Sequence, residues 1–105
     1  DLAYDNGSVW CCVPARKAVA KYSLTLNKFT MRIGGDNNTS FSRPVSLFSD
    51  DDEIYICDSG NNSIRIINKN TFNVKDYMTF DEPVLKYFRI MDCRFVILES
   101  GIYKL

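Results

Sequence analysis

Leu47-Phe48-Ser49-Asp50-Asp51-Asp52-Glu53-Ile54-Tyr55-Ile56-Cys57 decides how this chain is read, because Leu2-Ala3-Tyr4-Asp5-Asn6-Gly7-Ser8-Val9-Trp10-Cys11-Cys12 carries the same pattern 45 residues earlier. Each is a short apolar stretch, a polar turn and a compact apolar stretch. The same shift sets Val19 on Ile64, Tyr22 on Ile67, Phe29 on Val74 and Ile33 on Met78 without a gap. A third, shorter copy begins where Glu82-Pro83-Val84 repeats Arg43-Pro44-Val45. There Phe95-Val96-Ile97-Leu98-Glu99-Ser100-Gly101 repeats Ile54-Tyr55-Ile56-Cys57-Asp58-Ser59-Gly60, and after a three-residue deletion Ile102-Tyr103-Lys104-Leu105 replaces Ile64-Arg65-Ile66-Ile67. Self-similarity at a period of roughly 20–50 residues defines a whole architecture.

Within the second copy the pattern predicts four strands, at 45–49, 53–58, 63–67 and 73–79, parted by Gly, Asn and Asp clusters. Such spacing, with β-branched and aromatic residues and no sustained 3.6-residue apolar stripe, predicts an all-β fold. Along 53–58, Ile54 and Ile56 point one way and Tyr55 and Cys57 the other, so both faces are apolar and the strand must lie between two sheets. The last strand of the first copy differs: Phe29, Met31 and Ile33 alternate with Thr30 and Arg32, which suits an edge partly open to water. A two-layer sandwich accepts such strands but does not need the repeat. Radially stacked blades of four antiparallel strands do, so the expectation is an incomplete β-propeller of about two and a half blades. The blades fall at about 1–40, 43–82 and 83–105, within one unit.

Arg43-Pro44-Val45 through Ile54-Tyr55-Ile56-Cys57-Asp58-Ser59-Gly60-Asn61-Asn62-Ser63-Ile64-Arg65-Ile66 resembles the NHL repeat, whose units open with a proline and contain a strand ending in Asp-Ser-Gly-Asn. The first copy has Val13-Pro14-Ala15-Arg16-Lys17 in that place, and the third keeps Glu99-Ser100-Gly101. In physical terms Asp58, Ser59, Gly60 and Asn61 form a turn motif. A tight reversal needs positive φ, which Gly60 and Asn61 or Asn62 supply, while Asp58 accepts hydrogen bonds from the turn's own amides. Pro44 and Pro83 open strands, where a missing amide is harmless.

The chemistry is defined mostly by what is missing. With no histidine among 105 residues there is no Ser-His-Asp triad, no imidazole base and no His-bound zinc. Cys11, Cys12, Cys57 and Cys93 show no CxxC spacing, and Cys11 and Cys12 point to opposite faces of one strand. They read as small buried residues, with a disulfide or a reactive thiol as alternatives. Asp50-Asp51-Asp52-Glu53 lacks the alternating ligands and glycine of a calcium loop and reads as an acidic hairpin tip. Gly34-Gly35 has neither the spacing nor the helix of a phosphate loop and reads as a turn. No metal site and no cofactor are expected.

Thirteen basic and thirteen acidic side chains cancel, which argues against general nucleic-acid binding. Residues 1–35 carry five Lys or Arg against two Asp, while residues 36–60 carry one Arg against six acids. The basic concentration is Arg16, Lys17, Lys21, Lys28 and Arg32, the one place for an RNA-binding face, as some NHL-type propellers have. No apolar run approaches the ~18 residues of a membrane span. The chain begins at Asp1 without an n-region or signal segment, so no address is read from it. Sequons at Asn6-Gly7-Ser8, Asn37-Asn38-Thr39, Asn38-Thr39-Ser40 and Asn61-Asn62-Ser63 fall in predicted turns and do not settle the compartment.

These readings converge on a non-catalytic interaction scaffold that meets a protein or peptide through turns held rigid by the strands. Its face comprises Arg16, Lys17, Asn61, Asn62 and Ser100. An alternative is a wall of a propeller hydrolase or lyase whose catalytic residues lie outside the chain. Unpaired outer strands add a further expectation, that a second copy or a neighbouring chain completes the assembly.

Overall fold

A computed structural model describes residues 1–35 and 40–105; the sequons built on Asn37 and Asn38 lie outside these described residues. The chain is all-β and forms three antiparallel sheets, each made of strands in sequence order. Sheet I contains β1 (Leu2–Asp5), β2 (Ser8–Val13), β3 (Ala18–Ser23) and β4 (Lys28–Gly34). Sheet II contains β5 (Pro44–Ser49), β6 (Glu53–Asp58), β7 (Ser63–Asn68) and β8 (Val74–Thr79). Sheet III has three strands, β9 (Val84–Ile90), β10 (Cys93–Leu98) and β11 (Gly101–Lys104).

The 45-residue repeat holds at the level of register. In sheet I Ser8 faces Ser23 and Val13 faces Ala18; in sheet II Glu53 faces Asn68 and Asp58 faces Ser63, each position 45 residues on. The pairing of third with fourth strand starts in the same register too, Ala18 with Gly34 and Ser63 with Thr79. The β1–β2 reversal is a two-residue turn in which Asn6 (φ 46°) and Gly7 (φ 81°) both take positive φ, the conformation that matches strand twist.

Two cores alternate with the three sheets. Ile54 and Ile56 of β6 pack with Trp10, Val19, Phe41, Leu47 and Ile67 between sheets I and II. Tyr55 and Cys57, on the opposite face, join Ile64, Ile66, Val84, Tyr87 and Val96 between sheets II and III. Sheet II is therefore covered on both sides, as its doubly apolar β6 predicts. The second core is aromatic: Tyr55 and Tyr87 stack at 4.8 Å, and Phe48 and Tyr77 meet Tyr87 edge-on. Such pairs add roughly 0.5–1.5 kcal/mol each beyond the area they bury. Between sheets I and II the Lys21 ammonium lies 5.6 Å from the Trp10 ring and 5.9 Å from Phe72.

The first strands of the sheets draw together. β1 and β2 pack on β5, and β5 and β6 pack on β9. Lys86 of β9 fastens this inner edge, donating to the Leu47 carbonyl (2.7 Å) and to the Asp1 carboxylate (2.8 Å), which accepts the Leu47 amide at 3.1 Å. Ser46 donates across to the Leu85 carbonyl at 2.6 Å. Along β4 the expected row of Phe29, Met31 and Ile33 is divided by a bulge opposite Lys21 and Tyr22: Ile33 packs against the core, while Phe29 pairs with Tyr22 on the outer face and is 64% exposed.

Candidate interaction face

Antiparallel order puts the connections after the second strand of every sheet at one end of the stack, and these connections carry all five residues expected to form the face. In sheet I the link is a 3-10 turn, Pro14–Arg16, closed by the Lys17 amide donating to the Pro14 carbonyl. In sheet II it is Ser59–Asn61, closed by the Asn62 amide on the Ser59 carbonyl. Lys17 (φ 54°, ψ 40°) and Asn62 (φ 51°, ψ 36°) are the left-handed residues that end them. Asparagine tolerates that conformation well, so Asn62, the residue just after the Asp-Ser-Gly-Asn segment, is the conformational pivot of the turn.

Gly60 serves differently from the expectation. Its φ is not positive; a Cβ there would lie 2.4 Å from Ser42 Oγ, 2.8 Å from Ser42 Cβ and 3.0 Å from the Arg43 nitrogen. Close approach, and not backbone freedom, requires the glycine. Asp58 also departs from expectation. The carboxylate is fully buried and accepts the Ser42 amide (2.9 Å) and the Arg43 amide (2.6 Å) from the segment leading into β5, together with Asn61 Nδ2 at 2.9 Å. It fastens the incoming chain to the turn, whereas the sequence pattern alone suggested a cap on the turn's own amides.

Sheet III makes the equivalent tie with its parts reversed. The carboxylate now precedes the first strand: Glu82 accepts the Ser100 amide at 2.6 Å and the Ser100 hydroxyl at 2.9 Å, and Tyr103 OH lies 2.6 Å from that hydroxyl. Leu98 faces Gly101 directly, so Glu99 and Ser100 form a two-residue turn. Comparison of β9–β10 with β5–β6 puts Leu98 on Asp58, one position from the sequence alignment that set Glu99 there. The shared Glu/Asp-Ser-Gly spelling hid this slip, because the shorter turn removes two residues where the alignment removed three.

Arg16, Lys17, Asn61 and Ser100 are exposed and Asn62 is half-buried. Two are already committed within the fold, Asn61 to Asp58 and Ser100 to Glu82. The basic concentration of the first copy is divided: Lys21 turns into the packing between sheets I and II, away from Arg16 and Lys17.

At the opposite end of the sheets, the acidic tip is partly structural. Asp50 accepts the amides of Asp52 (3.1 Å) and Glu53 (2.8 Å) and binds Arg89 at 2.5 Å, while Asp51 and Asp52 are exposed. Burial pushes the Asp50 carboxyl up, but the Arg89 guanidinium and the two amides outweigh it and hold the group below its ordinary value. Arg89 in turn lies over the Phe48 and Tyr55 rings. All four cysteines are free thiols. Burial pushes Cys12 up to about 12 and Cys57 up to about 11, so both are neutral and weakly nucleophilic at physiological pH. Among the described residues no three His, Cys, Asp or Glu side chains gather where they could hold a metal ion.

Two residues at the end that carries the second-strand connections were not read from the sequence. Phe41 is buried between sheets I and II, and Phe80 packs against the core between II and III. The signal was present as Phe41-Ser42-Arg43-Pro44 and Phe80-Asp81-Glu82-Pro83, a phenylalanine three residues before each strand-opening proline.

No protein-family model matches the chain, and no curated protein matches it. Among solved structures it is similar to the crystal structure of the computationally designed Ika4 protein, with a TM-score of 0.74 and 9% identity over 99% of this chain. The computationally designed Ika8 protein is similar at a TM-score of 0.73 and 7% identity over 98% of this chain. The chain spans 62% of the first of those chains and 32% of the second. At these identities the likeness concerns the fold alone.

Proposed function

We propose that the three sheets are consecutive blades of an incomplete β-propeller of the NHL-repeat kind, and that the chain is a non-catalytic scaffold for a protein or peptide partner. The observation that carries this reading is the common end of the second-strand connections. Arg16 and Lys17, Asn61 and Asn62, and Ser100 are presented by three successive sheets whose stacking fixes their spacing. Rigid presentation lowers the ordering cost that binding would otherwise incur. The gathering of β1, β5 and β9 at one edge supports a radial arrangement of blades.

The face is tested by replacing its charges without disturbing its turns. Arg16→Glu with Lys17→Asn removes the cations while keeping a residue at 17 that accepts the left-handed conformation. Partners captured from cells by the wild-type chain are expected to be lost by this variant, with an unchanged circular dichroism spectrum. Retention of every partner at wild-type yield would contradict the proposal.

A further inference from the structure

The two outermost sheet faces are copies of faces that already pack against each other inside the molecule. On sheet I, Tyr4, Val9 and Tyr22 are cross-strand neighbours, as are Leu2 and Cys11, and they alternate with the core residues Trp10, Cys12 and Val19. They therefore lie on the face turned away from sheet II. Leu2, Val9, Cys11 and Tyr22 stand 45 residues before Leu47, Ile54, Ile56 and Ile67, all four buried against sheet I. On sheet III, Phe95 pairs with Phe88 and Ile97 with Ile102, opposite to the core pair Val96 and Tyr87. Phe88, Phe95 and Ile97 stand 40 residues after Phe48, Tyr55 and Cys57, which meet sheet III, and Ile102 stands 38 after Ile64. One end is thus the receiving kind of face and the other the inserting kind, and both are open: Leu2 and Ile102 are each 65% exposed.

We infer that the outer face of sheet III packs head to tail on the outer face of sheet I of a second copy, continuing the two interfaces within the chain. A groove of about 530 Å³ on sheet I, floored by Val13, Ala18 and Ala20, gives the inserted face a place to seat. The contact is heterologous, so two copies close on themselves when both ends engage. This inference rests on the reading of the sheets as successive blades.

Sedimentation velocity on the 105-residue chain over a concentration series tests it, against a monomer of 12.1 kDa. The wild type is expected to associate, and Leu2→Glu and Ile102→Glu are each expected to lose association, because each spoils one half of every contact. An equimolar mixture of the two is expected to regain a species of twice the monomer mass, since one intact face remains on each. A wild type that stays monomeric throughout, either variant alone still associating, or a mixture that stays monomeric overturns the inference. If a variant loses its circular dichroism spectrum, Val9→Glu and Phe95→Glu replace the pair. A wild-type monomer that keeps its Trp10–Phe72 and Tyr55–Tyr87 contacts would defeat the association alone; one that lacks them would defeat the blade reading.

Discussion

Gly60, Asp58 and Asp50 show how single positions hold this fold. Gly60→Ala is expected to cost about 1–3 kcal/mol through overpacking against Ser42, read by urea denaturation, and Ser42→Gly in the same chain is expected to restore most of it by removing the atoms the methyl meets. An Ala variant as stable as wild type would show that the turn has room for the methyl and that close approach does not require the glycine. Asp58→Ala is expected to cost about 3 kcal/mol, because two backbone amides and an amide side chain lose a charged acceptor in a dry site. For Asp50 the sign follows from a folded value held below the ordinary 3.8. Its stabilisation is full above that ordinary value and is lost as pH falls through the lowered folded value. Asp50→Asn should therefore lower stability at neutral pH by about 1–2 kcal/mol, given the partial exposure of the pair, and flatten the fall below about pH 4; identical pH profiles would contradict this. The identities of these residues were legible in the sequence and their partners were not. Ser42 lies 16 residues from Asp58 and Arg89 lies 39 from Asp50, contacts that only the stacking of sheets creates.

Strands were the most legible elements, because period-two alternation and turn residues are local signals. The span 53–58 coincides with β6, the spans 45–49, 63–67 and 73–79 differ from β5, β7 and β8 by a single residue at an end, and the apolar two-sidedness of β6 foretold its place between two cores. Connections were less legible. The sequence distinguishes poorly between a 3-10 turn ended by Asn62 and the two-residue turn at Glu99 and Ser100, since both are spelled acid-Ser-Gly or nearly so. Burial makes a ranking of the elements testable. Amides of β6 and β7 should exchange with solvent slowest, as both are paired on each side within the sheet and most of their side chains are buried. Those of β4 and β11, outermost strands with mainly exposed side chains, should exchange fastest. Equal protection in β4 and β6 would show that the sheets do not differ in cover.

At the scale of the whole molecule, the account holds that one sheet is written nearly three times and that each copy covers its apolar faces with the next. Nearest-neighbour stacking of this kind makes each internal interface a copy of the last, and it leaves the two ends unlike one another. Aromatic contacts report the interfaces separately: Trp10 with Phe72, 6.5 Å between ring centres, joins sheets I and II, and Tyr55 with Tyr87, at 4.8 Å, joins II and III. Nuclear Overhauser measurements on the chain in solution should give both cross-peaks, together with inter-strand peaks pairing Ser8 with Ser23 and Glu53 with Asn68. Strong peaks that instead pair strands of different sheets, or the absence of either aromatic contact, would contradict the stacked repeat.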